Sequence, residues 1–406
     1  PGYMVPASWN EMQEFPINAN GKIDRICLER MAAFPEERHV ELQDDPSDEL
    51  EVKLTWIWRK VLGLNRLGVN DNFFDLGGHS LAAVKMFSNI EKELGCRLPL
   101  AAIFRAPTVT ELSAMIREGG WTSRWRSLVP IRPLGTKPPF FCVHAVGGNI
   151  LEYNSLAGHL GPDQPYYGLQ SVGLDGISEP ITEIKAMAAA YIDEIRAVQP
   201  KGPYYLGGRS FGGTVAFEMA RQLRAEGDEI ALLAIFDSYP KGWQKLCTTE
   251  TVREYSRQFL KLRIQRHLDL WLRLGMMKKI QYAVSKIRYK SKKLKNLFWR
   301  PLRNLLPGRS SVGSVIREIE DLNYVAWRAY VPSVYEGKVT FFCAEEEICP
   351  EENIKGWELM AEGGVDIVEV PGDHQTMIKE PHVLTLAAKL EEVLNVRALE
   401  LSKEQQ

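Results

Sequence analysis

The sequence predicts an α/β fold with a mostly parallel sheet, preceded by a small all-helical bundle. Beyond about residue 127, short apolar runs recur: FFCVHA (140–145), YYGLQ (166–170), YYLGG (204–208), IALLAIF (230–236), VTFFCA (339–344) and VDIVEV (365–370). Strands covered on both faces read as such near-continuous runs. Between them lie helical patterns: ITEIKAMAAAYIDEIRAV, SFGGTVAFEMARQLRAEG and the segment from Val383. Alternation of this kind builds parallel sheets. From Asp48 to about Arg117, by contrast, the patterns are helical only.

The helical unit is justified element by element. ELEVKLTWIWRKVLGL places Leu50, Leu54, Ile57, Trp58, Val61 and Leu62 at helical spacing. A Gly/Asn-containing loop follows, Gly63 to Gly78, and SLAAVKMFSNIEKEL forms a second helix with Ser80 at its start. FRAPTVTELSAMI supplies a third, with Thr108 as N-cap and Glu111 three residues on. The stretch GGWTSRWRSLVPIRPLGTKPP (119–139) reads as a linker running into the first strand.

Composition bounds the function classes. The chain of 406 residues has room for two or three domains, and 45% hydrophobic content suits a globular protein. No stretch approaches the roughly 18–20 apolar residues of a membrane span. The six cysteines, Cys27, Cys96, Cys142, Cys247, Cys343 and Cys349, form no CxxC pair and no metal-like cluster with His. Reduced thiols, no metal and a cytoplasmic location are the expectation. The start PGYMVPASWN, without Met or a leader pattern, reads as a cut through a longer polypeptide. The net charge of −2 hides an asymmetry: 19 Lys/Arg against three acidic residues between Lys241 and Arg309.

Two serines sit in similar frames, GGHSLAA (77–83) and GGRSFGG (207–213). At a helix start, a Ser80 hydroxyl lies beside free backbone N–H groups that favour a phosphodiester. DNFFDLGGHSLAAVK, with Asp71, Phe73, Phe74, Asp75, Leu76 and Leu81 in register, closely resembles the carrier-protein motif D-x-F-F-x-L-G-G-x-S-L. The resemblance implies a carrier domain over 41–118, a small four-helix bundle whose Ser80 receives 4′-phosphopantetheine from a separate phosphopantetheinyl transferase. FPINANGKIDR (15–25) resembles the end of a nonribosomal peptide synthetase adenylation domain, with Lys22 at its lysine position. Residues 1–31 are therefore read as an inactive remnant, and 119–126 as a linker.

Ser210 lies in G-x-S-x-G (208–212) after a strand and before a helix, the setting of a nucleophile elbow. The Phe211 N–H then becomes an oxyanion donor. VPGDHQTM (370–377) places His374 after the last strand as base, with Asp373 shaping its loop. Asp237, after IALLAIF, is favoured as the acid over Glu345, Glu346 and Glu347 after the next strand. SLVPIRP, PFFCVHAVGG, GPYYLGGRSFGG, AIFDSYP and PGDHQTMI resemble a type I thioesterase domain. That resemblance implies an α/β-hydrolase fold over 127–396, a helical lid at about 240–325, and Val146 as the second oxyanion donor. His144 is expected to shape that loop, and His382 to be structural. Arg209 departs from the commoner Trp, Tyr or His and is expected to turn to solvent.

Within the insertion, Phe259, Leu260, Ile264, Leu268, Trp271, Leu272 and Met276 fall at helical spacing among basic residues. A lid over an apolar channel, a docking face for the acidic carrier and an interfacial membrane helix all fit this pattern. KIRYKSKKLKNLFWR (286–300) has the charge of a nucleic-acid patch, but no recognised nucleic-acid fold surrounds it, and none is expected to bind. The combined reading is a thioesterase paired with a carrier, served by upstream adenylation and condensation domains. Its acyl or peptidyl thioester would be hydrolysed, cyclised or passed to an external amine or alcohol. A non-catalytic module presenting cargo to a partner enzyme is the alternative.

Overall fold

The computed structural model describes residues 45–119, 126–246, 248–273, 312–346 and 350–404. The expected remnant with Lys22, the run 286–300, Met276, Cys27, Cys247, Cys349 and Glu347 lie outside the described residues, as do the side chains of Leu268, Trp271 and Leu272.

Four helices make the first unit: α1 (Glu49–Leu62), α2 (Ser80–Leu94), α3 (Ala102–Arg105) and α4 (Val109–Arg117). Asp48 caps α1 by accepting from the Glu51 N–H, and Gly63 ends it at φ 72°, a left-handed turn suited to glycine. The expected capping box opens α4: Thr108 Oγ1 accepts from the Glu111 N–H, and the Glu111 carboxylate accepts from the Thr108 N–H. The apolar faces close around Trp58 and Phe73, whose rings meet edge-on at 5.3 Å. Phe73 also dictates the glycine pair before α2. Gly77 adopts φ 83°, and a Cβ on Gly78 would collide with the Phe73 carbonyl and ring.

The second unit is one seven-stranded sheet in the order β1-β3-β2-β4-β5-β6-β7. The strands are β1 (Leu128–Arg132), β2 (Phe140–Val143), β3 (Tyr166–Leu169), β4 (Tyr204–Arg209), β5 (Ile230–Phe236), β6 (Val339–Ala344) and β7 (Val365–Val370). All neighbours are parallel except β1 with β3. The six apolar runs are all strands. β1 lies where the sequence reads mainly as linker. It is an edge strand with a register shift after Pro130, and an edge tolerates the missing proline N–H.

Among the described residues seven helices accompany the sheet: α5 (Tyr153–His159), α6 (Ile184–Arg196), α7 (Phe211–Ala225), α8 (Thr249–Arg273), α9 (Val312–Ala329), α10 (Pro350–Met360) and α11 (His382–Glu404). One face of the sheet is covered by α6 and α7, through Met187, Tyr191, Val215 and Met219. α5 and α11 cover the other, through Leu156, Leu386 and Leu390.

Between β5 and β6 the described part of the insertion is helical. In α8 the expected single apolar face divides: Phe259 is buried, whereas Leu260 and Ile264 are exposed. α9 buries Val312, Val315, Ile319, Asn323 and Ala326, a spacing of three and four that makes one stripe. Its first turn packs on α2, and Val312 joins Leu151 in the core cluster of the helical bundle. Bundle and sheet body therefore share buried apolar contact.

The start of β1 hangs on one carboxylate. Glu194 of α6 accepts the backbone N–H groups of Arg126, Ser127 and Leu128 at 2.6–3.2 Å. Glu194→Ala strands three donors at once, and a loss of about 1–3 kcal/mol is expected, read as a lower midpoint in urea unfolding.

Candidate active site

Ser210 occupies the turn between β4 and α7 with φ 55° and ψ −117°. A non-glycine residue there is strained, and the surroundings must impose it. Two glycines make the turn sterically feasible. A Cβ on Gly208 would collide with the Gly212 carbonyl, and one on Gly212 with the carbonyls of Val143 and His144. The Ser210 N–H donates to the Phe236 carbonyl at 3.1 Å, and the Ser238 hydroxyl donates to the Ser210 carbonyl. Gly213 leaves room for Ser238, whose Cβ would lie 2.6 Å from an added methyl.

Arg209 pairs with Phe236 in the sheet register, so Ser210 and Asp237 leave adjacent strands at the same level. Asp237 is buried, with φ 41°, and its Oδ2 lies 2.7 Å from His374 Nδ1. The two residues are 137 apart in sequence. His374 follows β7 in a turn organised by Asp373, whose Oδ1 accepts from the Gln375 and Thr376 N–H groups and the Thr376 hydroxyl. Burial opposes the Asp373 charge, but these bonds outweigh it and hold the carboxyl below its ordinary range. Glu345 and Glu346 are exposed; the described partner of His374 Nδ1 is Asp237.

The other side of the turn is the segment after β2. His144 is fully buried, and burial lowers its pKa to about 4, so the ring is neutral. Its Nε2 lies 2.8 Å from the Tyr191 hydroxyl and its Nδ1 2.7 Å from the Ala145 carbonyl. A carbonyl can only accept, so Nδ1 carries the proton and Nε2 accepts from Tyr191. This fixes the Ala145–Val146 peptide plane, and in a trans peptide the Val146 N–H then points away from His144. The next peptide is fixed from elsewhere: Asn323 Nδ2 of α9 donates to the Val146 carbonyl at 2.9 Å. Phe211, the first residue of α7, stacks on His144 with ring centroids 5.6 Å apart. First-turn N–H groups of a helix have no intrahelical partner.

Arg209 does not turn to solvent. It is buried, pairs with Glu152 through Nε and Nη2 at 3.1 and 2.7 Å, and donates from Nη1 to the His374 carbonyl at 2.7 Å. The G-x-S-x-G pattern leaves the position between Gly208 and Ser210 open, so it carries no sign of this contact. Nor does any motif mark Asn323, which lies in the insertion; Ser238 falls within AIFDSYP, but nothing there marks its bond to the Ser210 carbonyl.

Ser80 is remote from this chemistry in sequence and different in setting. It is the first residue of α2, and His79, not Ser80, is the cap: its Nδ1 accepts from the Ala82 N–H at 3.4 Å. The serine is half-buried, and its neighbour Leu81 is exposed. A helix amino end whose cap does not use the serine hydroxyl fits a phosphodiester. Among the described residues no group of His, Cys, Asp and Glu could hold a metal ion, and no helix is long and apolar enough to cross a membrane.

Burying His144 as the neutral ring links stability to pH. Its folded-state pKa of about 4 lies below the ordinary value of 6.5, so its contribution is complete above pH 6.5 and drains away as pH falls toward 4. The full effect is about 3 kcal/mol. In urea titrations at stepped pH, His144→Gln, which cannot take up the proton, should lose that part of the acid sensitivity.

Comparison with known proteins agrees with this architecture. The Thioesterase domain family matches residues 138–393, and the Phosphopantetheine attachment site family matches residues 53–116. The dimodular nonribosomal peptide synthase of Bacillus subtilis (strain 168) is 43% identical over 240 residues, covering 59% of this chain and 10% of that protein. Malpibaldin synthetase of Mortierella alpina is 34% identical over 93% of this chain and 6% of its own length. The chain spans 3–15% of the length of such curated relatives. A four-domain nonribosomal peptide synthetase, in its holo form with AMP and glycine, aligns over 97% of this chain and 29% of its own, with a TM-score of 0.51 and 26% identity. This chain belongs to the thioesterase domain family and carries a phosphopantetheine attachment domain ahead of it.

Proposed function

We propose that this chain releases the product of a nonribosomal assembly line: Ser80 carries 4′-phosphopantetheine, Ser210 takes over the acyl or peptidyl group, and the resulting ester is then resolved. The observation that carries the reading is the Asp237–His374 bond, made between the ends of β5 and β7. On the same rim of the sheet, the β4 turn presents Ser210. When attached, the arm supplies a flexible thiol that holds the acyl group as a thioester. It is expected to receive that group from upstream adenylation and condensation domains, after loading by a phosphopantetheinyl transferase.

The residues of this chain do the rest. Ser210 Oγ adds to the thioester carbonyl while His374 Nε2 takes its proton. Asp237 accepts a hydrogen bond from Nδ1–H, which selects the tautomer that leaves Nε2 free, and stabilises the imidazolium once formed. The Phe211 and Val146 N–H groups receive the oxyanion, the second held in direction by the His144 bond to Ala145. His374 then returns the proton to the departing thiolate. The acyl-Ser210 ester is cleaved by the same steps, with water or an amine or hydroxyl of the product itself as nucleophile. Hydrolysis and intramolecular cyclisation therefore share one set of residues, and transfer to an external amine or alcohol would use it too. A cargo-presenting shell without chemistry would not need a buried carboxylate spent on orienting an imidazole.

Intact-mass measurement tests the assignment. Loaded with an acyl group on the arm, Ser210→Ala should release it at least about 10³-fold more slowly than wild type, and Asp237→Asn about 10³–10⁴-fold more slowly. A Ser210→Ala variant that releases the group at the wild-type rate would end the reading. Ser80→Ala should gain no mass when incubated with a phosphopantetheinyl transferase and coenzyme A.

A further inference from the structure

Arg209 forms a junction among the three loops that the proposed chemistry uses. Its own loop carries Ser210, the next residue. Its Nη1 reaches the carbonyl of His374, 165 residues away, and its Nε and Nη2 grip Glu152, 57 residues away, just beyond the oxyanion turn. The main chain is tied as well: the Arg209 N–H donates to the Tyr153 hydroxyl, which donates to the Val143 carbonyl at the end of β2.

We infer that Arg209 is a positioning residue for the reaction, holding the His374 loop in register with Ser210 and bracing that hold on Glu152. The inference rests on the assignment of Ser210, His374 and Asp237 made above.

The geometry asks for arginine in particular. A planar guanidinium meets a carboxylate through two N–H groups and still has donors left on its other edge. Here the pair of bonds to Glu152 fixes the plane, and the remaining Nη1 is aimed at the His374 carbonyl. A lysine ammonium is a point charge on a flexible stem and has no such fixed fork. The residue is only 6% exposed, so water has little room to substitute for the lost bond.

The His374 side then has three constraints. Asp237 holds the ring at Nδ1, Asp373 holds the turn that carries it, and Arg209 holds its carbonyl. The first two set the ring relative to β5 and to its own loop. Only the third links His374 to the residue next to the nucleophile. Charge points the same way. Among the described residues Asp237 Oδ1 is buried without a hydrogen-bond partner, and the Arg209 guanidinium is a buried cation that Glu152 and Asp237 both stabilise against the cost of its burial.

The test is single-turnover acylation of Ser210 by a soluble N-acetylcysteamine thioester, followed by intact mass over a range of concentrations. The far-downfield proton NMR signal of the His374 Nδ1–H is recorded alongside. In Arg209→Gln the limiting rate should fall at least tenfold with the half-saturating concentration unchanged, and the Nδ1–H signal should shift or broaden. Arg209→Lys should stay slow. Glu152→Gln, which keeps the bond to the His374 carbonyl, should lose less than Arg209→Gln.

A folded Arg209→Gln with the wild-type rate and signal overturns the inference. So does a fall in rate accompanied by weaker saturation and an unmoved signal, which would mean general loosening. Should Arg209→Gln not fold, a folded Arg209→Lys at the wild-type rate overturns it equally. Ser210→Ala separates the two levels. If it remains unacylated while the Arg209 variants are unaffected, only the positioning role fails. If it becomes acylated at the wild-type rate, the triad assignment itself fails.

Discussion

The close approach of the amino end of α7 to the carboxyl end of β2 is the constraint from which the rest of the site follows. Gly212 lies against the Val143 and His144 carbonyls, and Gly208 against the Gly212 carbonyl. With both side chains absent, the helix can begin directly after a single residue of unusual conformation, and that residue is Ser210. Backbone strain of this kind costs on the order of 1–3 kcal/mol, and here the sheet absorbs it. The Ser210 N–H is bonded to β5, and its carbonyl is bonded by Ser238. Asp237 and Ser238 leave the same strand side by side, so β5 supplies both the brace under the elbow and the carboxylate beside the imidazole.

The segment after β2 is clamped from two bodies of the protein. His144, set by Tyr191 of α6, orients the Ala145–Val146 peptide from within the sheet layers. Asn323 of α9 orients the Val146–Gly147 peptide from the insertion. α9 also donates from the Trp327 indole to Thr214 of α7, and packs its first turn on the carrier helix α2. One helix thus touches the carrier, the helix that follows the Ser210 turn and the segment after β2. In the proposed mechanism, a rigid element placed so holds the Val146 donor still as charge develops, where electrostatic stabilisation is worth most.

Much of this was legible in the sequence, and each part that was not has its own physical reason. Sheet strands covered on both faces announce themselves as apolar runs, and the elbow and capping box are local patterns whose geometry is set within four or five residues. Ser210, Asp237 and His374 could be singled out because each lies in the turn that follows a strand, in the expected chain order. β1 was blurred by Pro130 within it, which an edge strand tolerates because it needs only half its N–H groups in the ladder. Arg209 could not be placed because its partners are 57 and 165 residues away. The same holds for Asn323, which is 177 residues from Val146. The single apolar face read into α8 fails between Phe259 and Leu260, because helical spacing permits a face without saying that anything lies against all of it.

The two Gly-Gly-x-Ser stretches show how little four residues decide. Before Ser80, the glycines serve the carrier core: one takes a left-handed turn and the other lies flat against Phe73. Before Ser210, Gly207 and Gly208 are strand residues, crowded by the Phe140 ring and by the turn itself. The residue between also diverges. His79 is an exposed cap that leaves the Ser80 hydroxyl at the amino end of a helix, whereas Arg209 is buried and bonded to the loop of the imidazole. A half-buried hydroxyl at a helix end, with no base paired to it among the described residues, suits attachment by an external transferase. A hydroxyl on a strained turn, with a buried Asp237 bonded to a half-buried His374 on the same rim of the sheet, suits attack. In the proposed roles, the difference between holding an acyl group and taking it lies in what surrounds the serine, not in the serine or its glycines.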